Sequence, residues 1–222
     1  MNIFKFIKRN LDLLRETNIV TNNIYSAIML NKVQAQLKNT LPHTSSALDH
    51  RTLQVICNDI LINNRRFLVE LGSGYSTIII SKFISMNNLD CKVISIEENE
   101  QWAKLVSDLL EKESLDEIAK IECLKVKDSW YVEDELDLIM KNQEIQVLII
   151  DGPNAGNKED IRSEAMNYFD GKISTNALVV IDDVHRKAEY AMLNNWYKKG
   201  GMKKVVDNNT GYLLKGTYFN IF

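Results

Sequence analysis

Residues 66 to 77 read Arg-Phe-Leu-Val-Glu-Leu-Gly-Ser-Gly-Tyr-Ser-Thr, and no other stretch constrains the chain as much. A short apolar run ends at an acid and passes at once into a Gly-x-Gly loop. Such a run, bounded by a glycine-rich turn, predicts a buried strand feeding a tight loop. Gly72 and Gly74 let the backbone turn sharply and approach a ligand closely. From Ser76 to Phe83 the residues are mostly apolar, without Pro or Gly, which predicts a helix. Strand, glycine loop and helix together form the first unit of a nucleotide-type binding site.

The loop departs from the dinucleotide fingerprint Gly-x-Gly-x-x-Gly, which seats a pyrophosphate on a helix N-terminus. Thr77 stands at the third glycine position, and Glu70 lies two residues before the first. A carboxylate beside the loop disfavours a diphosphate and favours a ligand with a cationic end. S-adenosylmethionine, with its ammonium, sulfonium and ribose and no phosphate, fits that requirement. Glu70, Gly72, Ser73, Gly74, Ser76 and Thr77 are therefore the first candidate cofactor contacts.

From Phe67 onward apolar runs recur at Phe67–Leu71, Lys92–Ile96, Ile121–Val126, Val147–Ile150 and Ala177–Ile181, with helix-compatible stretches between them. Alternating strands and helices predict βαβ units, a parallel sheet and right-handed crossovers. A helix is expected over Ala188 to Lys198. The final runs, Lys203–Val206 and Tyr212–Phe222, flank Asp-Asn-Asn-Thr-Gly and predict a hairpin. The expected fold is α/β, a seven-stranded mostly parallel sheet with an antiparallel C-terminal hairpin and helices on both faces. Before the first strand, Phe4, Ile7, Leu11 and Leu14 recur at helical spacing. A second helical run covers Asn23 to Leu37, and a third Leu48 to Ile62, with a loop at Leu41–Ser46. Residues 1–60 are expected to form an N-terminal helical cap and residues 61–222 the cofactor-binding domain.

The 222 residues suffice for one such domain with a substantial core. A formal net charge of −3 gives no general pull toward nucleic acid or anionic lipid. The three cysteines, Cys57, Cys91 and Cys123, show no metal-ligand spacing and are expected to be reduced thiols in a cytoplasmic protein. No apolar run approaches the roughly 20 residues that span a bilayer. The amphipathic start of the chain fits a surface helix.

In open α/β sheets ligands sit beyond the carboxyl ends of the strands, so the residues there are the candidates. After the second strand Glu97 is placed to accept both ribose hydroxyls. The alternative is an acid opening the next helix. After the third, Asp128 and Ser129 suit the adenine amino group and Trp130 the ring face; a capping Asp and a core Trp are the other reading. After the fourth and fifth come Asp151 and then Asp182-Asp183-Val-His185-Arg186. Three converging carboxylates are costly to bury. A divalent cation relieves them, as does protonation or a basic partner. Asp151, Asp182 and Asp183 thus form a candidate magnesium or manganese site, and helix capping with Arg162 or Arg186 as partners is the alternative. His185 is the candidate general base. Arg162 and Arg186 are candidates for binding an anionic substrate group.

Glu-Leu-Gly-Ser-Gly-Tyr-Ser-Thr at 70–77, Ile-Glu-Glu-Asn at 96–99, Ile-Ile-Asp-Gly-Pro at 149–153 and Ile-Asp-Asp-Val-His-Arg at 181–186 resemble the class I S-adenosylmethionine-dependent methyltransferases. The resemblance covers residues 60 to 222 and leans toward the O-methyltransferase branch with its catechol-type enzymes and toward glucuronoxylan-type sugar methyltransferases. It implies a Rossmann-like fold and methyl transfer to an acceptor hydroxyl. In metal-dependent catechol-type members an Asp and an Asp-Asn pair hold magnesium. Asp151 and Asp182 match the two aspartates, while Asp183 replaces the Asn. The catechol-type lysine base has no counterpart, since Pro153 and Asn154 stand there, and this moves the base role to His185 or to Asp151 itself. The expected acceptor is a sugar, a polysaccharide or another small polar molecule, with no nucleic acid and with a homodimer left open. A nicotinamide-dependent oxidoreductase, a nucleic-acid methyltransferase and an inactive cofactor-binding module are the competing readings.

Overall fold

A computed structural model describes residues 3–39, 41–127, 130–140, 143–154, 160–216 and 218–222. Helix α1 (Ile3–Gln34) leads through a loop into α2 (His50–Ile62). Then follow β1 (Phe67–Leu71), α3 (Tyr75–Met86), β2 (Lys92–Glu97), α4 (Glu100–Lys112) and β3 (Ala119–Cys123). The short strands β4 (Val126–Lys127) and β5 (Trp130–Tyr131) precede α5 (Glu133–Met140) and β6 (Ile145–Ile150). A 3₁₀ turn at Ile161–Ser163 opens α6 (Glu164–Phe169), followed by β7 (Ile173–Ile181), α7 (Lys187–Lys198), β8 (Met202–Asp207) and β9 (Thr210–Lys215).

The main sheet has seven strands in the order β3-β2-β1-β6-β7-β9-β8. Neighbours are parallel from β3 through β7, and β9 runs antiparallel to both β7 and β8. The expected architecture is therefore present. The central strands read as unbroken apolar runs because helices cover both faces. Strand alternation divides them between two cores. Leu68, Val147, Ile149, Leu178 and Val180 pack with α2, α3, α4 and the end of α1. Val69, Leu71, Leu148, Ile150, Val179 and Ile181 pack with α5, α6 and α7.

Several boundaries differ from the sequence expectation. The first core has no break at residue 60, since α2 runs to Ile62 and lends Leu53, Ile56 and Ile60 to it. A buried pair, Asp59 with Arg65 at 2.7 Å, ties the end of α2 to the start of β1. The two expected N-terminal helices are one, because nothing between Leu14 and Asn23 breaks a helix and Thr17 and Thr21 donate their hydroxyls to carbonyls four residues back. The third strand begins earlier than expected and ends at Cys123, and Val126 belongs instead to the separate β4–β5 pair. The last strand ends at Lys215, short of Phe222. Among the described residues no helix is long and apolar enough to cross a membrane.

Candidate functional site

The order of the sheet reverses between β1 and β6, where one crossover leads toward β2 and the other toward β7. Loops leaving such a switch point part and leave a crevice. Backbone hydrogen bonds knit its floor: Gly72 N–H to the Ile96 carbonyl at 2.8 Å, Asp151 N–H to Leu71 at 3.1 Å and Asp182 N–H to Ile150 at 3.0 Å. Gly72 has φ +94, a conformation that favours glycine. A Cβ on Gly152 would stand 2.8 Å from the Gly72 nitrogen, so the two loops touch backbone to backbone.

Above this floor lies a cavity of about 450 Å³, within the range of small-molecule sites. Of the expected site residues Gly72, Ser73, Glu97, Asp151, Arg162, Asp182, Asp183 and Arg186 line it. The loop between α1 and α2 contributes Ser45 and Ser46. That loop is pinned by His43, whose ring stacks on His50 at 4.2 Å and meets Tyr75, the first residue of α3, edge-on at 4.9 Å.

On the β2 side the polar groups are satisfied. Glu97 accepts from the Ser73 hydroxyl at 2.8 Å and amide at 3.1 Å, and from the Asn99 amide at 3.0 Å. Burial raises its pKa, and these donors hold it down. Trp102, which the sequence reading passed over, donates its indole N–H to the Ser73 carbonyl at 2.8 Å and lies against Gly74. Glu98, also passed over, accepts the Asn154 amide at 2.9 Å and so bridges the loops after β2 and β6.

Glu70 corrects the expectation of a direct contact with a cationic ligand. Strand alternation puts it on the same face as Leu68, where it is 1 % exposed and is not part of this cavity's lining. The hydroxyls of Ser76, Thr77 and Ser95 donate to its two oxygens, and Thr77 also accepts the Gly74 amide. Burial raises the Glu70 pKa, opposed by these three hydroxyls. Glu70, Ser76 and Thr77 thus hold the glycine loop from beneath.

On the β6 and β7 side three carboxylates crowd together. One oxygen each of Asp151, Asp182 and Asp183 lies within 4.8 Å of the others. Burial first, then the charge of Asp182, drives the Asp151 pKa well above the usual range, while Arg162 opposes the rise. Burial, then Asp183, lifts Asp182 to about 6. Arg162 is the counter-charge: its guanidinium is 3.5 Å from Asp151 and 3.2 Å from Asp183. Arg186 adds a second contact to Asp183 at 2.9 Å. The two arginines face the acidic cluster.

His185 is half exposed, 3.8 Å from Asp183, and does not line the cavity. Asp183 adopts φ +59, and of the residues that follow it Arg186 lines the cavity while His185 does not. Trp130 is buried edge-on against Tyr131 and likewise outside the lining. Neither the Trp130 indole N–H nor the Tyr131 hydroxyl has a partner among the described residues, and Glu98, Glu97 and Arg162 all act on the Tyr131 hydroxyl. Asp128 and Ser129 lie outside the described residues.

No family model matches the chain, and no curated protein is similar to it in sequence. Solved structures match its fold throughout. The SAH-bound Podospora anserina methyltransferase PaMTH1 superposes with a TM-score of 0.60 at 10% identity, covering 98% of this chain and 97% of that one. The O-methyltransferase TomG from Streptomyces achromogenes, involved in tomaymycin synthesis and in complex with SAM, gives 0.58 at 16% identity over 91% and 99%. An O-methyltransferase from Bacillus cereus in complex with SAH gives 0.53 at 14% identity over 87% and 90%. The chain has the fold of the class I S-adenosylmethionine-dependent O-methyltransferases. At these identities the likeness carries the fold, and the chemistry rests on the site.

Proposed function

We propose that the chain is an S-adenosylmethionine-dependent O-methyltransferase acting on a hydroxyl of a sugar, a polysaccharide or another small polar acceptor. The observation that carries this reading is Glu97, a carboxylate at the end of β2 that faces a cavity floored by a glycine loop with no basic residue on it. Such a carboxylate accepts both hydroxyls of a ribose. Gly72 and Ser73 would bring backbone close to the amino-acid end of the cofactor. Three free thiols suit a reducing, cytoplasmic setting.

The bound cofactor supplies a methyl carbon activated by its sulfonium. The cavity would hold the acceptor hydroxyl beside that carbon, the methyl passing to oxygen as its bond to sulfur breaks and S-adenosylhomocysteine leaves. Asp151 takes the proton that the acceptor hydroxyl loses. Arg162, 3.5 Å away, favours the carboxylate form that can accept it, and protonation relieves the repulsion with Asp182. The acidic, polar rim suits a polyol better than an apolar acceptor.

The carboxylate trio has the donor chemistry of a magnesium site. Yet Arg162 already reaches two of its three members, and a divalent ion there would meet the guanidinium. The residues do not fit the ion with Arg162 in place, and the counter-charge in our reading is the arginine.

Calorimetry with S-adenosylhomocysteine, with and without magnesium, tests both points. Micromolar binding that magnesium leaves unchanged is the expected result. No binding sinks the methyltransferase reading, and magnesium-linked binding restores the metal.

A further inference from the structure

The loop between α1 and α2 brings Ser45 and Ser46 to the cavity wall. Leu41 and Leu48 are buried and anchor its two ends. Between them the hydrogen bonds stay inside the loop. His43 Nε2 lies 3.1 Å from the Leu48 carbonyl. The Ala47 amide donates to the Thr44 carbonyl at 3.1 Å, and the Ser46 amide to the Thr44 hydroxyl at 3.3 Å. For residues 42–46, among the described residues, the ring of His43 makes the link to α2 and α3. It stacks on His50, the first residue of α2, with centroids 4.2 Å and planes 27° apart. Tyr75 closes the cluster edge-on, 4.9 Å from His43 and 6.1 Å from His50. Tyr75 directly follows Gly74, so one ring cluster touches both the loop and the root of the glycine turn.

The rings that make this link can change charge. Imidazole titrates between about pH 5 and 8. Two neutral rings stack, whereas two cations at that separation repel. Burial first, then the neighbouring His43, lowers the His50 pKa, and Asp49 opposes the fall. The N-terminal end of α2 adds a dipole that disfavours positive charge on its first residue. The other charged groups nearby are already engaged. Asp49 accepts the Thr52 amide at 2.6 Å on one oxygen and the Asn208 side chain at 3.4 Å on the other. Arg51, next on α2, is turned to Asp207 at 3.0 Å. Burial raises the Tyr75 pKa, so the ring from α3 stays neutral.

We propose that the His43–His50 stack is a pH-sensitive clasp. It holds the loop between α1 and α2 against the cavity while both rings are neutral, and it releases the loop when the pair takes up protons. The sign follows from His50. A histidine that binds its proton less tightly in the closed state favours closure above the ordinary imidazole value of about 6.5, and loses that contribution as pH falls below it. Release takes Ser45 and Ser46 away from the cavity wall, so a ligand seated there is held less tightly in acid. The clasp goes beyond the proposed chemistry, since it acts on whatever small molecule the cavity takes.

The chain has three histidines, His43, His50 and His185, so ring-proton NMR can follow each one. The His50 midpoint should lie below about 6.5 and rise in His43→Gln. Amide order parameters of residues 43–48 should be about 0.85 near pH 7 and fall below about 0.6 near pH 5.5. In His43→Phe with His50→Phe, which keeps two stacked rings and removes their charge, they should stay high at both. If that pair does not fold, His50→Phe alone serves, because a single imidazole meets no like charge. Over the same interval the unsubstituted protein should lose about threefold more affinity for S-adenosylhomocysteine than the variant does. The titration of Asp151 and Asp182 is common to both proteins and cancels. A protein that never binds S-adenosylhomocysteine fails the methyltransferase reading, and the order parameters then decide the clasp by themselves. The proposal is overturned by a His50 midpoint at or above about 6.5, by a loop that stays ordered at the lower pH, or by one that loosens equally in the phenylalanine variant.

Discussion

The two halves of the crevice solve the same electrostatic problem in opposite ways. At the ends of β1 and β2 the buried acids Glu70 and Glu97 are surrounded by hydroxyl and amide donors. At the ends of β6 and β7 Asp151, Asp182 and Asp183 face one another, and the relief comes from Arg162 and Arg186. Donors arranged around a carboxylate fix its geometry and oppose the rise that burial causes. Carboxylates sharing cations keep raised pKa values and stay ready to exchange protons. In the proposed function the first half holds the cofactor and the second carries the chemistry.

The largest break of this contrast comes from Arg162→Met. Removing the shared cation leaves buried carboxylates uncompensated, a class of change that costs about 3–5 kcal/mol. Chemical denaturation at pH 8 should show the loss. It should shrink as pH falls through about 6, where Asp182 takes up a proton. The wild-type cluster has the same sign. An acid whose folded pKa lies above its unfolded value binds the proton more tightly when folded, so its contribution to stability rises as pH drops from above 6 toward 4. Asp182→Asn should flatten that rise. A contribution that instead falls over this window would show that the carboxylates are not in conflict.

On the other side, Glu97→Ala should leave the fold nearly intact and weaken S-adenosylhomocysteine about 100-fold. That is two hydrogen bonds to a charged acceptor, less what water restores. Calorimetry on the variant checks it. A change below threefold would move the ribose elsewhere.

Much of this contrast is legible in the sequence, because an apolar run that ends in Gly, Glu or Asp marks both the strand and its functional end. Glu97, Asp151 and Asp182, read that way, line the cavity. Glu70 shows the limit. Its place in the run is plain, but a strand alternates its faces, and only the packing of α3 tells which face is roofed by Ser76 and Thr77. Arg162 lies nine residues beyond Pro153 and far from Asp183 in sequence, so its pairing is a tertiary fact. Arg186 lines the cavity and His185, one residue before it, does not, a choice that the tertiary packing makes and the sequence does not announce. Trp102 carries a signal of its own, an aromatic in the first turn of the helix that follows Glu97.

The smallest effect sharpens the comparison most. Ser73 donates to Glu97 through both its amide and its hydroxyl, and only the hydroxyl depends on the side chain. Ser73→Ala keeps the amide and removes one donor at the cavity wall. Where a ribose would take the vacated oxygen, the variant should lose no more than about 0.5–1.5 kcal/mol of unfolding stability. Its affinity for S-adenosylhomocysteine should stay within about threefold, because the ligand's own hydroxyls replace the missing one. Stability lost without affinity lost would mean that Ser73 holds Glu97 in place until a diol arrives. An affinity loss as large as that of Glu97→Ala would instead make the serine hydroxyl a direct ligand contact, and the β2 side would then be as dependent on single side chains as the β6 side is on Arg162.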